Sequence, residues 1–320
     1  MVKRLSIVVA LAAPLVVLAC SEDAVPPTGT PDAPQMKARA QDAGVDPVTY
    51  FEDLMDEVNA TLEAEGADYR AGMVEYLTAS DEIGRTVFFR NIGNKQLAFD
   101  FVPFDPRRAP WSGPVSGPDD DIWYVVDQVD AVAPPGIGAA ATTAAIDAAM
   151  GTWQAQRCSN IPLTKVPDLG LDLGFFAFLQ SGGALGGPAI LADIQHAGWE
   201  APISPTNILG FTVTFSFVPA IDIDNNGKID AAFREIYYNT LFNWAVDGVS
   251  NIDVETIALH EAGHGLSQAH FGKLFRTDKN GKFHFAQQAV MNAGYTGPQQ
   301  TLLGSDHGGH CSNWGQWPNN

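Results

Sequence analysis

Cationic residues are scarce in this 320-residue chain: Lys and Arg number 18 against 37 Asp and Glu, a formal net charge of −19. A non-specific nucleic-acid binder needs basic patches to displace counterions, so the balance excludes that class and predicts no nucleic-acid partner. It suits a solvated, exported protein. Cysteine is scarcer still, at three residues, which excludes a small disulfide scaffold. Past the first twenty residues no apolar run is long and uninterrupted enough to span a bilayer. Glutamate is missing from the whole stretch after Glu261. What the chain does have is apolar content. With 46% hydrophobic and 10% aromatic residues it is not disordered as a whole, and its length allows two domains with a sizeable core.

The N-terminus reads as a targeting segment. Lys3 and Arg4 precede a 15-residue apolar run, Leu5 to Ala19, the length of a secretory h-region. The run ends Val17-Leu18-Ala19-Cys20, followed by Ser21-Glu22-Asp23, and resembles a bacterial lipobox. That resemblance implies a signal peptide over 1–19 and lipidation of Cys20; an ordinary signal peptide with a chance cysteine is the alternative. Residues 20–45, rich in Pro, Ala and Asp, are expected to be a lipid-anchored disordered tether. The membrane would then be met only through the lipid, with the protein at a bacterial cell surface or outer membrane, or released extracellularly. With Cys20 taken, Cys158 and Cys311 remain. In an exported protein one disulfide is the simplest assignment, two free thiols or a Cys ligand the other.

Asp46-Pro47 looks like an N-cap and first helical residue, and Phe51, Leu54, Met55, Val58 and Leu62 follow at helical spacing until Gly66. With the β-rich runs Met73–Leu77, Thr86–Phe89 and Leu97–Val102 this predicts a small α+β N-terminal region over 46–105, a propeptide or spacer. Residues 106–120 read as a Pro/Gly linker, and 121–320 as the main domain. In it we expect strands at Ile122–Val126, 189–194, Phe211–Val218 and Ile236–Asn239, an Ala-rich helix over about 140–157, and a hairpin at Asn225-Asn226-Gly227. The Phe-rich run Phe175–Leu179 is expected in the core.

A helix opening near Asn251 or Asp253 carries Leu259-His260-Glu261-Ala262-Gly263-His264-Gly265-Leu266-Ser267-Gln268-Ala269-His270. His260 and His264 are i and i+4, on one helical face, a spacing that lets two imidazoles share one zinc. Glu261 is placed to act as general base on metal-bound water. A third ligand is needed. Asp278 and Asp306 are carboxylate candidates, but His270 is nearest and suits the spacing if the helix stops after Leu266. The HExxHxxxxxH pattern resembles the metzincin signature, and its surroundings resemble the matrixin branch. Ala289-Val290-Met291-Asn292 resembles that family's Met-turn, Tyr295 stands four residues on where the S1′ wall is expected, and Ala144–Gln156 with Trp153 resembles its early long helix. The likeness covers roughly residues 120–300. It implies an α+β zincin/metzincin catalytic domain, a twisted mixed sheet with a long helix and an active-site helix. It also implies a zinc-dependent endopeptidase acting on proteins or peptides, with His260, His264 and His270 as ligands and Glu261 as base. The chain departs from the family at Ser267 and Ala293, where Gly and Pro are usual. Twenty residues separate His270 from Met291, with Asp278–Lys282 reading as a hairpin turn, and no cysteine between Cys20 and Cys158 could serve as a cysteine switch.

Asp222, Asp224, Asn226, Lys228 and Asp230 occupy the odd positions of a segment resembling an EF-hand-type calcium loop, with Gly227 at the sixth place. Phe233 stands where a bidentate acid is expected, and an acidic hairpin is the plainer reading. His196, His284, His307 and His310, taken singly, read as surface or satisfied residues, and Trp314 and Trp317 as packing. Two rival functions remain: a non-catalytic zinc-binding surface lipoprotein on a zincin scaffold, and, on residues 222–230 alone, a calcium-dependent adhesin.

Overall fold

Asp46 caps the first described helix by accepting a hydrogen bond from Thr49 N, and Pro47 follows at the first helical position. In the computed structural model the described residues are 46–79, 84–88, 99–108, 119–180, 188–200, 207–250, 252–279 and 283–319. The segments expected to be a signal peptide and a tether, with Cys20, lie outside them. Helix α1 (Pro47–Ala64) buries Phe51, Leu54, Met55, Val58 and Leu62 and stops before Gly66, whose φ of 71° suits glycine. Among the described residues no helix is long and apolar enough to cross a membrane.

The strands are β1 (Tyr69–Ala79), β2 (Thr86–Phe88), β3 (Phe99–Asp100), β4 (Ile122–Val126), β5 (Leu163–Lys165), β6 (Ile194–Glu200), β7 (Ile208–Phe217), β8 (Ile229–Asn239), β9 (Trp244–Ala245), β10 (Ile252–Asp253), β11 (Lys273–Arg276), β12 (Phe283–Ala286) and β13 (Gly294–Tyr295). The main sheet is mixed and runs β13-β1-β7-β8-β6-β4-β5, with β2 added on β1 and β3 on β8. Strands β5, β4, β6 and β8 are parallel; β7 runs antiparallel to both β8 and β1. The remaining helices are α2 (Ala139–Gln154), α3 (Gly174–Gln180), α4 (Val254–Gly265) and α5 (Gly304–Trp314).

Both faces of the sheet are covered, so its strands read as apolar on both sides. On one face Val74, Tyr76, Val125, Phe211 and Phe215 pack against α1 and the Phe175–Leu179 run of α3. On the other, Met73, Leu77, Tyr124, Val126, Ile194 and Ile236 pack against α2 and α4. Trp153 of α2 is fully buried and donates from Nε1 to Leu259 O of α4 at 2.8 Å. Cys158 and Cys311 form a disulfide, with Cα atoms 5.5 Å apart, that ties α5 to the chain just after α2.

The fold is thus α+β with a mixed sheet, as expected, but the division of the chain differs from the sequence reading. Residues 46–105 are not a module set apart by a linker. Their strand β1 pairs with β7 over Tyr69–Thr78 and lies inside the sheet, between β7 and β13. The start of the expected linker is also core. Arg108 is fully buried and pairs with Asp193 at 2.8 Å. The strand expected at 189–194 begins only at Ile194, because Asp193 is taken up by Arg108 and by Trp123 N.

Candidate functional site

Helix α4 starts where Asp253 Oδ2 accepts from Thr256 N at 2.9 Å and runs through His260 and His264. Its last turn is finished by side chains from elsewhere. Arg234 of β8, fully buried, donates to the carbonyls of His264 and Gly265, to Phe99 O and to Ser267 Oγ. Trp314 Nε1 donates to Leu266 O and Asn313 Nδ2 to Ser267 O, both at 2.8 Å. The carbonyls that a helix leaves unpaired at its C-terminus are thereby all used, and a cation sits at the negative end of the helix dipole. Ser267 then takes a left-handed conformation, φ 63°, and the chain turns back to bring His270 over the helix. None of Arg234, Asn313 or the donor role of Trp314 was foreseen from the sequence; an isolated Arg in a β-rich run was the only signal.

The three histidines meet. Their Nε2 atoms are 3.0 Å (His260–His264), 3.1 Å (His264–His270) and 3.3 Å (His260–His270) apart. His260 Nδ1 lies 2.7 Å from Val290 O, and His264 Nδ1 lies 2.8 Å from Gln268 O. A carbonyl can only accept, so these Nδ1 atoms carry the protons and the Nε2 lone pairs converge. Converging lone pairs repel unless a cation lies between them. Ligands at the zinc–imidazole distance in a tetrahedron stand roughly 3.3 Å apart, close to the observed triangle. The donor set fits zinc: three imidazoles, two with their outer nitrogen fixed by a carbonyl. Burial, and then His264, push the His260 pKa well below its ordinary value, which keeps it neutral for a metal.

Glu261 is fully buried. Its Oε2 accepts from Thr212 Oγ1 of β7 at 2.7 Å, while Oε1 has no partner. Burial raises its pKa to about 7, against the pull of His264 and the Thr212 hydroxyl. A Cβ at Gly210 would stand 3.3 Å from Oε1, so the glycine leaves that oxygen room.

The Met-turn candidate lies under the histidines. Met291 is buried, and its sulfur occupies the space that a side chain at Gly263 would need. Asp306, weighed as a third ligand, does different work: it accepts from Val290 N (2.9 Å), Met291 N (3.1 Å) and Leu303 N (2.8 Å), and so fixes the turn to α5. Tyr295 lies on β13 and lines a cavity of about 20 Å³ with His260, Val290 and Leu77, room for about one water. Leu77 comes from β1, as does Glu75, whose Oε2 is 3.1 Å from His264 Nδ1 and whose Oε1 accepts from Thr86 Oγ1. Neither was singled out from the sequence, since nothing local to β1 indicates what it packs on.

The 222–230 loop brings the carboxylates of Asp222, Asp224 and Asp230 within 4.8 Å of one another. Asn226 donates from Nδ2 to Asp224 and Asp100, Lys228 pairs with Asp100 at 3.1 Å, and Arg107 pairs with Asp230. Of the three clustered carboxylates only Asp230 pairs with a cation of the protein, Arg107, which it shares with Asp105. Glu235, two residues past the twelfth place, points elsewhere, accepting from Tyr237 Oη and Phe175 N. His196 and His310 are buried, each with one ring nitrogen paired, Nδ1 of His196 to Tyr238 Oη at 2.8 Å and Nε2 of His310 to Ser159 Oγ at 2.7 Å, while the other nitrogen of each has no partner.

No family model matches the chain, and no curated protein matches its sequence.

Proposed function

We propose that the chain is a zinc-dependent endopeptidase, exported and lipid-anchored through Cys20, acting on proteins or peptides through a zincin domain of metzincin type. One observation carries the reading: the three Nε2 atoms of His260, His264 and His270 converge beside a buried carboxylate with a free oxygen. Bound by these histidines, zinc would supply Lewis acidity to the scissile carbonyl and to the attacking water. Glu261 Oε1 takes the proton of that water and delivers it to the leaving amine, while Thr212 holds Oε2 and so aims the carboxylate. Val290 O and Gln268 O orient two of the ligand rings. The cavity between His260 and Tyr295, which now has room for about one water, would receive a substrate side chain only once its walls move apart. In this reading the 46–105 region is a covering segment. β1 lies along β7, the strand that carries Thr212, and its Leu77 lines the small cavity, so hydrolysis requires this part of β1 to yield.

The test is turnover of an unfolded protein by the zinc-loaded chain, compared with Glu261→Gln and with the chelated protein. Turnover lost in both, with zinc still bound in the variant, supports the peptidase. Leu77→Ala, which opens the cavity, is expected to raise turnover several-fold. Stoichiometric zinc without turnover, in the intact chain and in Leu77→Ala alike, favours the alternative, a non-catalytic zinc-binding surface lipoprotein. Calcium at 222–230 is a weaker proposal, since Arg107 already pairs with Asp230 there.

A further inference from the structure

A second group of ligand-type side chains is built from three separate parts of the chain. Asp130 lies in the loop after β4, Asp172 in the segment before α3, and Glu200 at the last position of β6. One carboxylate oxygen from each falls within 4.8 Å of the others. The surrounding backbone is fixed so as to hold them there. Asp127 accepts from Val129 N at 2.6 Å, Asp130 N at 3.3 Å and Leu173 N at 2.7 Å, which joins the first two segments. Trp199 N donates to Asp130 O at 2.8 Å, which joins the third. Gly198, at φ 99°, lets the loop come this close: a Cβ there would lie 2.6 Å from Asp130 Cβ and 2.7 Å from its carbonyl oxygen.

The cluster lacks the partners that buried carboxylates require. Glu200 is 3% exposed. Its Oε2 accepts from Gln180 Nε2 at 2.7 Å, but its Oε1, also buried, meets no donor, and Asp172 Oδ1 is likewise unpartnered, while one oxygen of each acid lies within 4.8 Å of the others. Among the described residues no Lys, Arg or His forms an ion pair with any of the three. Burial, and then Asp130, push the Glu200 pKa up to about 8. Like charges at this separation are relieved either by protons or by a bound cation.

We propose that Asp130, Asp172 and Glu200 bind a calcium ion. All the donors are carboxylate oxygens, which suit a hard cation and not zinc or copper. Two oxygens on one calcium stand at most about 5 Å apart, twice the ligand distance, whereas magnesium spans only about 4.2 Å and demands an octahedron. The three oxygens lie within 4.8 Å of one another, inside the reach of a calcium shell, and calcium's flexible geometry suits donors drawn from three loops. Three carboxylates leave places for carbonyls and waters in a six- to eight-fold shell. The site pins three loops at the ends of β4 and β6, and it differs from the 222–230 loop in having no protein cation of its own.

The test is terbium titration of the calcium-free, zinc-loaded full chain, read by luminescence sensitised through tryptophan; Trp199 is the neighbour of Glu200 in the chain. The expected result is a saturable signal displaced by calcium and not by magnesium. Asp130→Asn and Glu200→Gln should weaken binding at least tenfold, and Asp222→Asn should leave this component unchanged. Should either variant fold poorly, Asp172→Asn, at a partly exposed position, should show the same weakening and should lose the rise in Tm that calcium gives the parent. Binding undiminished in these variants, or lost only in Asp222→Asn, overturns the proposal. So does the absence of calcium displacement, in which case the three acids share protons instead.

Discussion

Ser267 and Arg234 together make the turn that delivers His270. Ser267 stands at φ 63°, which costs a residue with a Cβ about 1 kcal/mol. Its Oγ accepts from Arg234 Nη2 at 3.0 Å, inside the core, and a buried hydrogen bond to a charged donor returns about 1.5–3 kcal/mol. Serine is therefore tolerated where glycine is the simpler choice. Ser267→Gly should be close to neutral in urea unfolding, strain relief offsetting the lost bond. Ser267→Ala keeps the strain, loses the acceptor, and should destabilise by about 2 kcal/mol. Gly263 is a different kind of glycine. Within a helix, Gly→Ala usually stabilises by about 1 kcal/mol. At this position the added methyl would meet Met291 Sδ and Trp153, both in the core. Overpacking of that kind costs about 1–3 kcal/mol, so Gly263→Ala should lower stability or weaken zinc binding, measured by unfolding and by competition with a chromogenic chelator.

At the scale of elements, α4 carries two ligands but depends on α5 for its end. Asn313 and Trp314 finish its carbonyls, Asp306 holds the Met291 turn, and His310 stacks on Trp153 with ring centroids 5.4 Å apart. The Cys158–Cys311 bond keeps α5 in place across a sequence separation of 153 residues. A loop of that size gives about 4–5 kcal/mol in the chain-entropy model. The Cys158→Ser/Cys311→Ser double variant should lose up to that amount in urea unfolding, and its zinc affinity should fall because the turn under His260 loosens. Much of this was legible in the sequence. Periodic apolar spacing located α1, the Ala-rich helix and the core of β7, and the histidine spacing picked out the three imidazoles that meet. The contributions of Arg234, Asp306 and Glu75 were not legible, because each acts on a segment far away along the chain and leaves no local pattern. The place of β1 was hidden for the same reason: a short apolar strand does not say which edge it joins.

At the scale of the whole molecule, the acidic composition returns as a stability profile set by buried groups of opposite behaviour. His196 and His310 are buried neutral, their pKa values lowered by burial from 6.5 to about 3 and about 4. Below pH 6.5 the unfolded chain binds protons that the folded chain refuses, so these two histidines make stability fall as the solution is acidified. Glu235 is the reverse case. Burial raises it from 4.5 to about 7, against the donors Tyr237 Oη, Phe175 N and Gln195. Between pH 4.5 and 7 the folded state holds a proton that the unfolded state releases, so its contribution is lost as pH rises through that window, by at most about 3 kcal/mol. Glu200, raised to about 8, extends the same loss further. The opposing slopes overlap between pH 4.5 and 6.5. For the calcium-free chain these groups place the stability optimum in that window, with a decline toward pH 8. Glu235→Gln should flatten the part of the decline below pH 7 in a series of thermal melts. Calcium should flatten the part above it, because a cation that holds Glu200 ionised removes the proton from the balance. A decline above pH 7 that calcium leaves untouched would separate Glu200 from any metal and return its charge to shared protons.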